Sequence, residues 1–387
     1  MRLLEPQHER LARIRAEDIP GPIAPTRARL DSTPLLVGLA MPLQQGAYTL
    51  ADVETETSWY WAYQSRLALM ADELGLDYLF MGSQYFPPEG LGGHHRTHSL
   101  EALMLAAALA AKTRQIYLIP TFSTVAEASP LYFARLASTL DHISNGRIGF
   151  NLMANQAYSD FGKHFGEMED DLPRRYAVAH EFLETVKLLW SRNESVTHHG
   201  QFFDIYNATV SPKPIQSPFP LLMTAGLANV SLEFAARHCD LVFSVPGSNV
   251  DDTTRIMRDI RESGERLGRR LRPTALVYVI CREREAEARA RFRYIQDRAD
   301  PASIGSHVGK FGRSIDDKAD VDSLRAFGGN ATGQVLVGTP EHVANELCAL
   351  HKQGVEGVQI AFCDYVSELP FFAMEVIGYL RRAGLRP

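Results

Sequence analysis

The stretch LYFARLASTLDHISNGRIGFNLM, Leu131 to Met153, decides how the rest of the chain is read. Leu131–Ile143 reads as a helix, with Pro130 before its first turn, where a missing N–H removes no helical hydrogen bond. Arg147–Met153 (RIGFNLM) follows as a short apolar strand. A helix running directly into a short apolar strand is the repeating unit of a parallel sheet covered by helices.

Outward from this unit, the pattern repeats. On the N-terminal side, Leu35–Ala40, Tyr78–Met81 and Ile116–Thr121 are apolar strands. Between them lie the helices Ser58–Leu74, ended by Gly75, and Leu100–Lys112, with Ser99 as the expected N-cap. On the C-terminal side comes a long helix, Arg174–Arg192, then a hairpin, Val196–Ile205, turning at Gly200. Pro220–Thr224, Asp240–Ser244, Thr274–Cys281 and Val355–Phe362 are strands, and helices follow each of them, to His238 and over Val250–Leu267, Glu283–Ala299 and Leu369–Ala383. Eight strands alternating with helices favour an α/β chain closed into a (β/α)8 TIM barrel over a doubly wound sheet. Residues 1–33, dominated by Arg, Glu and Pro, read as an N-terminal extension, either a mobile arm or one packed on the barrel or a partner subunit. Residues 34–387 read as the barrel domain. Within it, residues 300–334 are a Gly- and Asp-rich insertion before the last strand, of a length expected for a functional lid or a disordered segment.

Composition narrows the function classes. Of 387 residues, 45% are hydrophobic and 22% charged, ordinary values for a folded globular chain. Lys+Arg 40 against Asp+Glu 46 gives a net charge of −6, with no basic surplus to favour nucleic acid. The longest apolar run, Ala102–Ala111, is about half of a membrane span, and Met1–Ile19 has no apolar signal-peptide core. The four cysteines form no CxxC. A soluble, cytoplasmic chain without nucleic-acid or membrane partners is expected.

Common catalytic motifs are absent: no P-loop, GxSxG, HExxH or strand-following GxGxxG occurs. His94 and His98 in GGHHRTH have the spacing of one helix face, but the Gly-Gly opening reads as a loop, so a substrate-facing or solvated loop is favoured over a metal site. Ala225–Ser231 (AGLANVS) follows the fifth strand and opens a helix. Gly226 there lets the backbone approach a ligand, and the free N–H groups and macrodipole suit a phosphate.

These residues converge on a family. TSW (57–59), ADELGLDY (71–78), ARLASTLDHISNGRIGFN (134–151), RRY (174–176), LW (189–190), GQFF (200–203), VSPKP (210–214), AG (225–226), FAARHCD (234–240) and GTPEHVA (338–344) occur in the family's order. Over roughly residues 35–380 the chain resembles the bacterial-luciferase-like group of flavin-dependent monooxygenases, and is most similar in look to the alkanesulfonate, dimethylsulfone and pyrimidine monooxygenases. The resemblance implies a (β/α)8 barrel, usually a homodimer or homotetramer. It implies reduced FMN delivered by a separate NAD(P)H-dependent flavin reductase, with O2 as co-substrate. Dioxygen adds at flavin carbon 4a or nitrogen 5, and the peroxyflavin oxygenates a small organic substrate.

Carried over by position, the resemblance implies flavin contacts at Ser83, Gln84, Asn151 and Asp160. It places Arg175 and Tyr176 near the flavin phosphate and ring. Around Gly226, relatives carry a serine where this chain has Ala228, and Ser231 is a second phosphate position that can compensate. Thr121 falls beside the oxygen pocket, with Thr124 as its rival. The chemistry suits such a set, because the cofactor carries the reaction and the protein binds, orients, polarises and excludes water. Plain structural readings stand beside each. Asn151 can terminate a strand, Arg175 lie on a surface helix, Tyr176 pack in the core, Ser83 and Gln84 be ordinary loop polars, and Asp160 belong to a turn.

Convergent arginines, which a sulfonate would require, are few, namely Arg96, Arg313 and Arg325. Tyr85, Phe86, Phe122, Tyr365, Phe371 and Phe372 are instead expected at the mouth, suggesting an apolar, heterocyclic or organosulfur substrate. Two rival functions remain, a deazaflavin-dependent oxidoreductase of the same superfamily and a barrel that sequesters flavin without catalysis.

Overall fold

The computed structural model describes residues 26–82, 98–125, 129–154, 171–244, 249–300, 303–304 and 334–387. A short helix, α1 (Thr26–Ser32), precedes β1 (Leu36–Ala40). Then come α2 (Trp61–Glu73), β2 (Tyr78–Met81), α3 (Ala102–Ala110), β3 (Tyr117–Ser123), α4 (Pro130–Ile143) and β4 (Gly149–Met153). After α5 (Leu172–Ser191), β5 (Val196–His199) and β6 (Asp204–Ala208) form a separate antiparallel hairpin. The main sheet resumes with β7 (Leu221–Ala225), α6 (Asn229–His238), β8 (Leu241–Ser244), α7 (Val250–Glu265), β9 (Arg272–Cys281) and α8 (Glu285–Gln296). It finishes with β10 (Val335–Gly338), α9 (Pro340–Lys352), β11 (Gly357–Ala361) and α10 (Tyr365–Arg382). Strands β1, β2, β3, β4, β7, β8, β9 and β11 pair in parallel around a closed ring, since β11 pairs with both β9 and β1. The expected (β/α)8 barrel is what these eight strands form.

Both faces of such strands are buried, so two cores exist. Inside the barrel, Leu36, Tyr78, Phe80, Tyr117, Ile119, Leu221, Met223 and Leu241 pack together, with Leu30 of α1 joining from below. The Tyr78 ring fills the space where Gly38 has no Cβ. The larger core lies between sheet and helices. There Phe133 of α4 packs on Phe122, Phe150 and Phe182.

Several expectations change. Ser99 does not cap α3. The Glu101 carboxylate does, accepting from Leu103 N at 2.9 Å and Met104 N at 2.6 Å, while Ser99 bridges to Gln44. The close of the expected extension is helical, and Leu30 is drawn against the barrel floor. Strand β10 and helix α9 were not anticipated. β9 is ten residues long; on one edge β8 pairs only with Arg272–Ala275, and β10 pairs with the last four residues, Tyr278–Cys281, beyond it. A ninth strand is thus added to the sheet outside the ring. Most of the expected 300–334 insertion and the extension up to residue 25 lie outside the described residues.

The family-like stretch 134–151 mostly builds the end of the barrel away from the mouth. Asp141 accepts from Ile215 N at 2.7 Å, Gln216 N at 2.9 Å and Gln216 Nε2 at 2.6 Å. Arg147, buried, donates to the Thr113 hydroxyl and to the Ile116, Ala110 and Thr113 carbonyls, each at 3.0 Å. These bonds satisfy loop groups that would otherwise be buried unpaired. Asp72 similarly accepts from Arg114 N, Gln115 N and Ile116 N. Glu181 holds the hairpin turn by accepting from Gln201 N, Phe202 N and Phe203 N. Burial raises this carboxyl, but those three N–H donors outweigh it and hold it below the ordinary glutamate value.

Candidate active site

Side chains at the C-terminal ends of the strands meet at one face, where α/β barrels keep their chemistry. Thr121 and Asn151 are direct partners across β3 and β4. Strand alternation puts Thr121 on the same side as the interior residues Tyr117 and Ile119. Asn151 Nδ2 donates to Thr121 Oγ1 at 3.0 Å. Asn151 is 2% exposed, and its Oδ1 is buried with no hydrogen-bond partner. An orphaned amide oxygen at this depth costs about 1–3 kcal/mol unless a ligand supplies a donor. The rival Thr124 is spent elsewhere, its hydroxyl 3.4 Å from the Met153 carbonyl.

A second cluster forms where β7 turns into α6. Gly226 has φ +121°, a conformation L side chains rarely adopt. A Cβ there would stand 2.9 Å from Ser231 Oγ and 3.2 Å from the Tyr176 hydroxyl, so three elements converge on one backbone atom. Helix α6 begins without a side-chain cap, because Ala228 occupies the N-cap position. Ser231, three residues into the helix, is buried, and its Oγ makes no hydrogen bond of good geometry. Tyr176 is buried in the first half of α5. Burial raises its phenol above the ordinary value, and the adjacent Ser231 hydroxyl and Arg175 guanidinium partly offset this. Arg175 is half-buried beside it. The cluster holds uncapped N–H groups, a buried hydroxyl, a phenol and a guanidinium, a donor set suited to a phosphate monoester.

Phe80 and Phe243 stack across the barrel with centroids 5.3 Å apart and planes 5° from parallel. They crown the interior core and make an apolar floor beneath the mouth. This aromatic pair replaces much of the expected one. Phe122, Tyr365 and Phe372 are buried in the core between sheet and helices, and Phe371 packs against that core. Phe122 lies near the end of β3 and Tyr365, Phe371 and Phe372 lie in the first turns of α10, so these four belong to the shell and not to the mouth. Trp190 packs as expected, its Nε1 donating to the Ala134 carbonyl at 3.0 Å, whereas Trp59 precedes α2 and stacks on Tyr60 and His98.

Sequence reasoning also missed Gln44, whose Nε2 donates to the Gly82 carbonyl at 2.6 Å and fixes the exit of β2. It missed the Thr49–Tyr278 hydroxyl pair at 2.8 Å, which ties the loop after β1 to the upper part of β9. No motif marks either, since each bond joins segments distant in the chain. Ser83, Gln84 and Asp160 lie outside the described residues, as do His94, His95, Tyr85 and Phe86. Among the described residues, no group of three or more His, Cys, Asp or Glu could hold a metal ion, and no helix is long and apolar enough to cross a membrane.

Comparison with known proteins shows the family and the fold. A family model described as luciferase-like monooxygenase matches residues 37–357. The chain is 26% identical over 359 residues to an FMNH2-dependent dimethylsulfone monooxygenase of Pseudomonas putida, covering 90% of this chain and 96% of the relative. It is 28% identical over 353 residues to the pyrimidine monooxygenase RutA of Acinetobacter baylyi, covering 88% and 93%. In fold it resembles the long-chain alkane monooxygenase LadA, with TM-score 0.80 at 22% identity over 92% of this chain and 93% of that one. An F420-dependent secondary alcohol dehydrogenase shares the fold more distantly, with TM-score 0.64 at 14% identity over 89% of this chain and 99% of that one.

Proposed function

Because the chain belongs to the luciferase-like monooxygenase family, we propose that it is a two-component monooxygenase that takes reduced FMN from a separate flavin reductase and uses O2 to oxygenate a small organic substrate. The observation that carries this reading is the pair of orphaned buried polar atoms, Asn151 Oδ1 and Ser231 Oγ, on the face where the barrel strands end. One fits a flavin ring N–H and the other a phosphate oxygen. FMN would be held at its phosphate by the α6 N-terminus, Ser231, Arg175 and Tyr176, with Gly226 giving the backbone room to approach. Ser83, Gln84 and Asp160 belong to the proposed flavin contacts through the resemblance. Bound reduced FMN supplies the electrons that activate dioxygen.

The rest follows from the protein. Asn151 is oriented by its bond to Thr121, so its free oxygen is aimed before any ligand arrives. Such preorganisation avoids reorganisation during reaction. The Thr121 hydroxyl accepts from the Asn151 amide, which leaves its hydrogen free to donate. Phe80 and Phe243 make a dry floor that keeps water from below. The apolar pair, with the dimethylsulfone and pyrimidine in the two relatives' names, supports an apolar, heterocyclic or organosulfur substrate. Assembly into a dimer or tetramer and a cytoplasmic location complete the proposal.

The test is oxygenation of candidate substrates with a flavin reductase under labelled dioxygen, read by mass. One labelled oxygen atom in a product is the expected result. Anaerobic titration showing tight binding of reduced deazaflavin and none of reduced FMN would shift the assignment to hydride transfer.

A further inference from the structure

Outside the barrel, helices α5 and α6 and the loop from α7 to β9 border a groove of about 690 Å³ that plays no part in the proposed reaction. It is lined by His180, Lys187, Phe219, His238, Leu267 and Arg269, among others. Lys187 Nζ lies 3.2 Å from His238 Nδ1 and 3.4 Å from the His238 carbonyl oxygen. An ammonium only donates, so His238 Nδ1 accepts and the imidazole carries its proton on Nε2. That N–H donates to His180 Nδ1, 2.6 Å away. His180 in turn carries its proton on Nε2, 3.3 Å from Glu184 Oε1. The hydrogen bonds run in one direction, from Lys187 outward.

The path joins a cation, Lys187, to a carboxylate, Glu184, through two imidazoles, and its two charged ends make no ion pair with each other. Burial, followed by the Lys187 charge, pushes His238 down to about 2, so it stays neutral. Glu184 faces His180 and, like Asp240, acts on Lys187 through space without forming an ion pair with it. Arg237 pairs with Glu233 at 3.0 Å. Arg269 donates to the Ala236 and Cys239 carbonyls at 2.9 and 3.0 Å and has Asp240 at 3.8 Å. Lys187, half-buried, has no carboxylate within ion-pair distance among the described residues, and its third N–H is unassigned. Its hydrogen-bond partners are neutral, and Asp240 and Glu184 compensate this half-buried cation only from beyond ion-pair distance. Phe219 and Leu267 give the same groove an apolar wall, and the Phe219 ring centroid is 6.0 Å from Lys187 Nζ.

We propose that this groove binds a small organic anion, with its carboxylate on Lys187 beside Arg269 and its apolar body against Phe219 and Leu267. The groove volume falls within the range of small-ligand sites, about 300–1,000 Å³. The ligand would close the hydrogen-bond chain at its open, positive end.

The test is isothermal titration of the full chain with benzoate, with benzyl alcohol as the neutral control. Saturable benzoate binding and none of the alcohol is expected. Lys187→Met should weaken benzoate at least about tenfold, the loss of one charge-assisted hydrogen bond. Leu267 is 48% exposed, so Leu267→Glu disturbs no core packing, yet it sets a carboxylate at the groove and should weaken binding similarly. It decides the matter should Lys187→Met fail to fold. Absence of saturable benzoate binding to the parent chain overturns the proposal. So does undiminished affinity in both variants, which would place the anion elsewhere.

Discussion

Replacing Gly226 with alanine tests the phosphate cradle at its narrowest point. Two costs follow from the structure. The backbone sits at φ +121°, a region where a side-chain-bearing residue costs about 1–3 kcal/mol. The new methyl would also press on Ser231 Oγ at 2.9 Å, Ser231 Cβ at 3.1 Å and the Tyr176 hydroxyl at 3.2 Å. Relief requires all three to shift by several tenths of an ångström, which moves two of the proposed phosphate ligands together. Losing one or two charge-assisted bonds to phosphate is worth about 1.5–3 kcal/mol each, or roughly 10–100-fold or more in affinity. Gly268→Ala is the control, because Gly268 also has positive φ, +66°, but nothing lies within 4 Å of its missing Cβ. It should cost about 1 kcal/mol of stability and leave flavin binding alone. The assays are urea unfolding and anaerobic reduced-FMN titration of both variants. If Gly226→Ala lost stability yet bound reduced FMN within about twofold of the parent, a change under 0.5 kcal/mol, the flavin phosphate would lie elsewhere.

Three further outcomes are expected. Asn151→Leu should lower product formation about 100-fold and divert reducing equivalents to hydrogen peroxide, as loss of a preorganised polar partner does, while leaving the unfolding midpoint little changed; full coupling between NADH use and product would refute the role. Arg147→Met strands three loop carbonyls and the Thr113 hydroxyl, and should lower stability by about 3 kcal/mol or more in urea titrations with an unchanged m-value. His238 is depressed from 6.5 to about 2, so below pH 6.5 the unfolded chain takes up a proton that the folded chain refuses. Stability should therefore fall on acidification from pH 6.5, with this residue contributing a slope approaching about 1.4 kcal/mol per pH unit, and His238→Gln should flatten the curve.

Much of the barrel was legible because its signals are local. Each of the eight ring strands is a short apolar run beside a helix-forming segment, and such runs need no distant information to be recognised. Gly226 was legible for the same reason, since a glycine between a strand and a helix marks a special backbone angle. Asn151 was reached through the family resemblance, which places an asparagine in the fourth strand. Strand β10 was not legible. VLVG is only four residues long, and it is a strand because β9 runs past the end of β8 and leaves an edge to pair with.

The direction of the aromatic residues was also hidden. In a strand buried on both faces, the apolar pattern is the same inward and outward, so alternation cannot tell axis from shell. Phe80 and Phe122 look alike in sequence, yet one floors the mouth and the other packs under α4 and α5. The amino-acid sequence by itself determined the order of the eight ring strands and the family. The tertiary structure alone decided which candidate site residues meet, that Asp141 and Arg147 serve the scaffold, and that Lys187 forms no ion pair among the described residues. The physical reason is range. Backbone preference and apolar periodicity act over a few residues, whereas satisfaction of a buried polar group depends on partners about 30 to 75 positions away, as for Asn151, Arg147 and Asp141.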